Sequence, residues 1–142
     1  ALSSEIHLKN DVVQFIHYLL ADMALYWDIP KTNSLDVIDA LVSKKLFSES
    51  SGIVLREAVS FLYKLRIRVH LFYGEQNETV YTIANLSNQC VLTTTEIEML
   101  KKIYWNILCP FYVILFPAIL NENLAIEYAW SNAPIELNFF EW

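Results

Sequence analysis

Residues 53–74 constrain this chain more than any other stretch. Leu55, Ala58, Val59, Leu62, Leu65, Val69, Phe72 and Tyr73 recur at intervals of three and four, which is the period of one continuous helix with a wide apolar face. Gly74 stands where a left-handed residue can close it. Turned at about 100° per residue, the same wheel sets Arg66 among Leu62, Leu65 and Val69. Lys64, Ile67 and Glu57 fall on the wet side. A guanidinium cannot shed its charge, so an arginine on a core-facing sector needs a carboxylate or a polar cleft.

The rest of the first half supplies helices to pack against this one. A first helix is expected over residues 5–27, with Leu8, Val12, Phe15, Ile16, Leu19, Met23 and Tyr26 as its buried stripe. Asp22 falls within that apolar sector, so the reading pairs Asp22 with Arg66 as a structural ion pair between the two helices. Pro30 ends the first helix, and Asn33 or Ser34 caps a short second one over residues 35–46. Residues 48–52 link it to the long helix, which gives an antiparallel hairpin with a short helix across it.

Beyond Gly74 the pattern loosens. Residues 79–83 have weak strand character but no evident partner, so residues 75–92 read as one long loop. Thr93, followed three residues later by Glu96, spells a capping box. Ile97, Leu100, Ile103, Tyr104, Ile107 and Leu108 continue it as a helical stripe. Pro110 should kink or end that helix near Asn106. Residues 103–120 are almost wholly apolar, but two prolines, Asn106 and the amphipathic start favour a buried helix over a membrane span. A last short helix fits residues 122–130. Phe139, Phe140 and Trp142 near the end are a possible interface, because such side chains are costly to leave in water.

The expectation is therefore an all-α fold, an antiparallel helical bundle of about five to six helices with one long loop, in a single domain over residues 1–142. Composition agrees, with 55% hydrophobic residues and only two glycines among 142. A net charge of −6 argues against a nucleic-acid grip, which needs a basic surface. Cys90 and Cys109 lack metal-ligand spacing, and His7 and His17 lack ligand companions, so no metal site is expected. The first residues carry no secretion signal, and the expected location is cytoplasmic.

Two stretches carry a family resemblance. LREAVSFLYKLRIRVH, residues 55–70, and the earlier KNDVVQFIHYLLADMALYWDIPKTNSLDVIDALVSKKLFS, residues 9–48, resemble the helical domain that follows the catalytic domain in nitrogen-regulatory PII-protein uridylyltransferases and their relatives. The likeness covers residues 8–82 well and residues 93–116 more loosely. It implies a domain that follows a nucleotidyltransferase domain in a longer protein and packs against that domain or a protein partner.

Under the same resemblance, Lys9 matches a lysine that opens the domain and could face a nucleotide cleft. Arg68 and His70 are further candidate nucleotide or partner contacts. A nucleotidyltransferase palm needs a Gly-Gly or Gly-Ser turn and paired carboxylates for Mg²⁺. Gly52 and Gly74 are the only glycines, and neither is followed by Gly or Ser. No catalytic residue is therefore assigned, and Mg²⁺ with a nucleoside triphosphate enters only through the catalytic domain. The spacing of Arg66 and His70 is too short for the arginine–histidine motif of RNA-cleaving helical domains. The reading is a non-catalytic accessory module. Its alternatives are a part in phosphate contacts and a binding-only effector-type module.

Overall fold

The computed structural model describes residues 4–83 and 86–111. Strand β1 (Glu5–His7) leads through a π-helical segment (Lys9–Val13) into α1 (Gln14–Tyr26). Then come α2 (Ser34–Ser43), α3 (Glu49–Tyr73), β2 (Thr79–Tyr81) and α4 (Thr94–Ile103), which runs on as a second π-helical segment (Tyr104–Leu108). The fold is mainly helical, with four α-helices among the described residues.

Several helix boundaries have a local cause. Asn33 Oδ1 accepts the Leu35 N–H at 2.9 Å to open α2, and the Ser48 side chain caps α3. Gly74 closes α3 in the left-handed region at φ 69°. At α4, Thr93 and Glu96 form the full capping box. Pro110 has no N–H to return to the carbonyl four residues back. Just before it the ladder lengthens, with the Cys109 N–H bonding the Tyr104 carbonyl five residues back.

The core forms where α1, α2 and α3 meet. Leu20, Met23, Ile38, Leu41, Leu55 and Leu62 are all at most 2% exposed. α2 and α3 approach closely at Gly52, where a Cβ would lie 2.5 Å from Val42 Cγ2, so a glycine is required inside α3 despite its helix cost. Ile103, Ile107 and Phe111 extend the core, and Phe111 packs on Phe47 with ring centroids 6.0 Å apart. No helix among the described residues is long and apolar enough to cross a membrane.

The structure changes three expectations about the secondary structure and the buried stripes. The chain is not purely helical, because β1 pairs antiparallel with β2, Ile6 opposite Val80. The first residues of the expected first helix are thus a strand, and they are the partner that residues 79–83 lacked. The expected long loop is laced down as well: Tyr81 N–H donates to the Cys90 carbonyl at 2.9 Å and Leu92 N–H to the Tyr81 carbonyl at 2.8 Å. Finally, Phe15, Tyr26 and Phe72, expected in buried stripes, are 41%, 41% and 48% exposed. The expected helix at 122–130, the run over 112–120, and Phe139, Phe140 and Trp142 lie outside the described residues.

Candidate functional site

One side of α3 carries Arg66, His70 and Tyr73, which hold the segment that follows the helix, while Arg68, about 200° around from Arg66, reaches the start of α4. Arg66 meets the carboxylate that its position demanded, but that carboxylate belongs to Glu78 and not to Asp22. Its Nε and Nη2 donate to Glu78 at 3.1 and 2.6 Å. Glu78 is 7% exposed, since the β2 alternation turns Glu78 and Val80 inward. Asp22 is exposed on α1. The buried stripe of that helix centres on Leu20, and a residue two places on lies about 200° around the wheel, on the far side.

His70 Nε2 donates to the same Glu78 Oε1 at 2.7 Å. Burial pushes the Glu78 carboxyl upward, but the hydrogen bonds from Arg66 and His70 outweigh it and hold the carboxyl below its ordinary value. Arg68 grips Glu96 through two bonds of 2.8 and 2.6 Å. Glu96 also accepts the Thr93 N–H, so one carboxylate caps α4 and ties it to α3. Tyr73 Oη donates to the Thr79 carbonyl at 2.7 Å and accepts the Cys90 N–H at 3.1 Å. Burial raises the Cys90 thiol against the opposing pull of Arg68, which leaves a protonated, unreactive sulfur.

The structure thus brings Arg66 and His70 together on one side of α3, sets Arg68 on the other, and gives each an internal carboxylate. Lys9 is exposed at the start of the first π-helical segment. It comes one residue after Leu8, whose N–H donates to the Glu78 carbonyl at 2.9 Å. Glu78 and Glu96 were missing from the sequence candidates as partners. For Glu78 the available signal was the alternation with Val80 in a stretch rich in polar residues.

An opening lies beside this belt. A cleft of about 550 Å³ runs between two walls. Glu5, Ile6, Asp11 and Val12 come from β1 and the first π-helical segment. Ile97, Leu100, Lys101, Tyr104 and Trp105 come from α4 and its continuation. The lining is mostly apolar with a few polar groups, as small-molecule sites are. Tyr104 and Trp105 are 53% and 63% exposed, and their rings meet edge to face 5.1 Å apart. Among the described residues, no group of three or more His, Cys, Asp or Glu is placed to hold a metal ion.

A second opening of about 490 Å³ includes His17 and Ser34 in its lining. Here Ser34 Oγ lies 2.8 Å from His17 Nδ1 and ties α1 to α2, while the imidazole stacks on Tyr63 at 5.8 Å. Burial first, and then the nearby Arg66 charge, lower the His17 pKa below its ordinary value. The folded chain therefore binds a proton at His17 less readily than the unfolded chain does. Stability from this group is complete above about pH 6.5 and is lost as pH falls below that value toward the folded pKa. Thermal unfolding followed from pH 7 downward should show a falling midpoint, and His17→Gln should flatten that fall in the same range.

A family model described as "Putative nucleotidyltransferase substrate binding domain" matches residues 2–107. No curated protein and no solved structure matches the chain. The matched span takes in every residue of the cleft and of the α3 belt.

Proposed function

The chain belongs to the family of nucleotidyltransferase substrate-binding domains, and from that premise we propose that it is a non-catalytic accessory domain that holds the acceptor of nucleotidyl transfer in the cleft between β1 and α4. In this reading it follows a nucleotidyltransferase domain in a longer protein and packs against it, and that domain carries the Mg²⁺ and the nucleoside triphosphate. The observation that carries the reading is the cleft itself: apolar, rimmed by exposed aromatic rings, and inside the matched span. Exposed aromatic side chains around a concave apolar surface favour a binding partner.

The phosphate-contact alternative has less support. Arg68 is held by Glu96 and His70 by Glu78, so a triphosphate would have to displace a bidentate carboxylate. Both cysteines are free thiols, which fits a reducing cytoplasmic setting.

The test uses the full-length protein with a labelled nucleoside triphosphate, Mg²⁺ and a cell extract as the source of acceptor. Deleting residues 1–142 should abolish label transfer while equilibrium dialysis still detects triphosphate binding. Transfer that survives the deletion, or transfer by the isolated chain, would contradict the proposal.

A further inference from the structure

We infer that the cleft takes a small acceptor bearing a protonated amine on a flat apolar body, and that the nucleoside triphosphate does not bind there. This inference rests on the reading of the cleft as the acceptor site. Three features carry it.

The first is charge. Glu5 and Asp11 stand on one wall and Lys101 on the other, two carboxylates against one ammonium. Asp11 is fixed in place, since its Oδ2 accepts the His7 N–H at 2.7 Å. The next turn is pinned by the Asn10 N–H donating to His7 Nδ1 at 3.2 Å. A held carboxylate offers an ammonium a charge-assisted bond with little ordering cost.

The second feature is the aromatic rim. The faces of indole and phenol rings attract cations and repel anions, and Tyr104 and Trp105 expose more than half of their surface beside the cleft. Carboxylates and ring faces thus select the same sign of ligand. The apolar lining from Val12, Leu92 and Leu100 suits a flat hydrocarbon body, and the volume suits a small molecule.

The third feature is what a triphosphate would lack. Its oxygens call for guanidinium forks or a metal ion. Arg66 and Arg68, whose guanidinium groups could serve, bond Glu78 and Glu96 instead.

The probes are 2-phenylethylamine, 3-phenylpropionate and a nucleoside triphosphate with Mg²⁺. Each is titrated into the full chain by equilibrium dialysis, with tryptophan fluorescence followed for the two phenyl probes. Phenylethylamine should bind saturably, at least about tenfold more tightly than phenylpropionate, which is the discrimination one charge-assisted bond supplies. Its effect on fluorescence should vanish in Trp105→Phe. Asp11→Asn, at an exposed position, should weaken phenylethylamine by about tenfold and leave phenylpropionate binding equal or tighter. Lys101→Gln should leave phenylethylamine binding equal or tighter.

Saturable phenylpropionate binding that matches or exceeds that of the amine would overturn the charge assignment and leave the cleft standing as an acceptor site. Triphosphate binding abolished by Trp105→Phe would overturn the exclusion of the donor. Failure of both phenyl probes would overturn the inference, and the accessory reading would fall with it only if label transfer also survived deletion of residues 1–142.

Discussion

Replacing Glu78 with glutamine should destabilise the chain by about 3 kcal/mol, the lower end of the range for removing one partner of a buried ion pair. The lower end applies because Arg66 keeps 27% of its side chain exposed, and water can partly solvate the stranded guanidinium. The effect exceeds that of a surface salt bridge for two reasons. Glu78 is nearly fully buried, and it accepts from His70 as well as Arg66, so one substitution undoes two ties between α3 and the segment that carries β2 and leaves only the Tyr73–Thr79 bond of those described above.

The companion variants isolate the cause. Glu78→Leu combined with Arg66→Met removes both charges and should restore most of the loss, because an apolar pair of similar volume avoids the desolvation that the ion pair has to offset. Asp22→Asn should change stability by less than about 0.5 kcal/mol, as expected for an exposed site without a special partner. Urea unfolding reads all of these. A neutral Glu78→Gln, or an Asp22→Asn as costly as Glu78→Gln, would show that the pairing is wrong.

That contrast marks how far the sequence could be read. The long helix was legible because its apolar spacing runs unbroken from Leu55 to Val69 and ends on Gly74, and the Arg66 position alone demanded a carboxylate. Which carboxylate was not legible. Asp22 sits between Leu19 and Met23 in a helical pattern, and only the direction in which α1 faces its neighbours decides that Leu20 points inward and Asp22 outward. Glu78 comes after a run of polar residues, and its burial depends on β2 finding a partner 72 to 76 residues away. That partner was hidden because Glu5–His7 leads directly into a helical stripe.

The capping box at Thr93 and the irregularity before Pro110 were readable because both arise within a few residues. The cleft was not, because it exists only where β1 is brought beside α4. Ile97, Leu100 and Tyr104 were visible as a helical stripe, but nothing local shows that Tyr104 and Trp105 remain exposed at a rim. Of the candidate contacts, Arg68 and His70 proved to be tied to internal carboxylates, a pairing that again depends on long-range placement.

The second large effect falls on substrate binding. Tyr104→Ala with Trp105→Ala removes the exposed rim without opening the core, since Ile103 and Ile107 on the buried side are untouched. Truncating aromatic anchors of this kind costs about 2 kcal/mol or more of binding, or roughly 30-fold in affinity. If the cleft holds the acceptor in the ground state and in the transition state alike, the loss should appear in KM alone.

The account is therefore tested most directly by the steady-state kinetics of the full-length protein carrying Tyr104→Ala and Trp105→Ala, with acceptor and triphosphate varied in turn. The expected result is an acceptor KM raised about 30-fold, with kcat and the triphosphate KM unchanged. A fall in kcat at constant acceptor KM, or a rise in the triphosphate KM, would contradict the claim that this chain contributes an acceptor cleft and no chemistry.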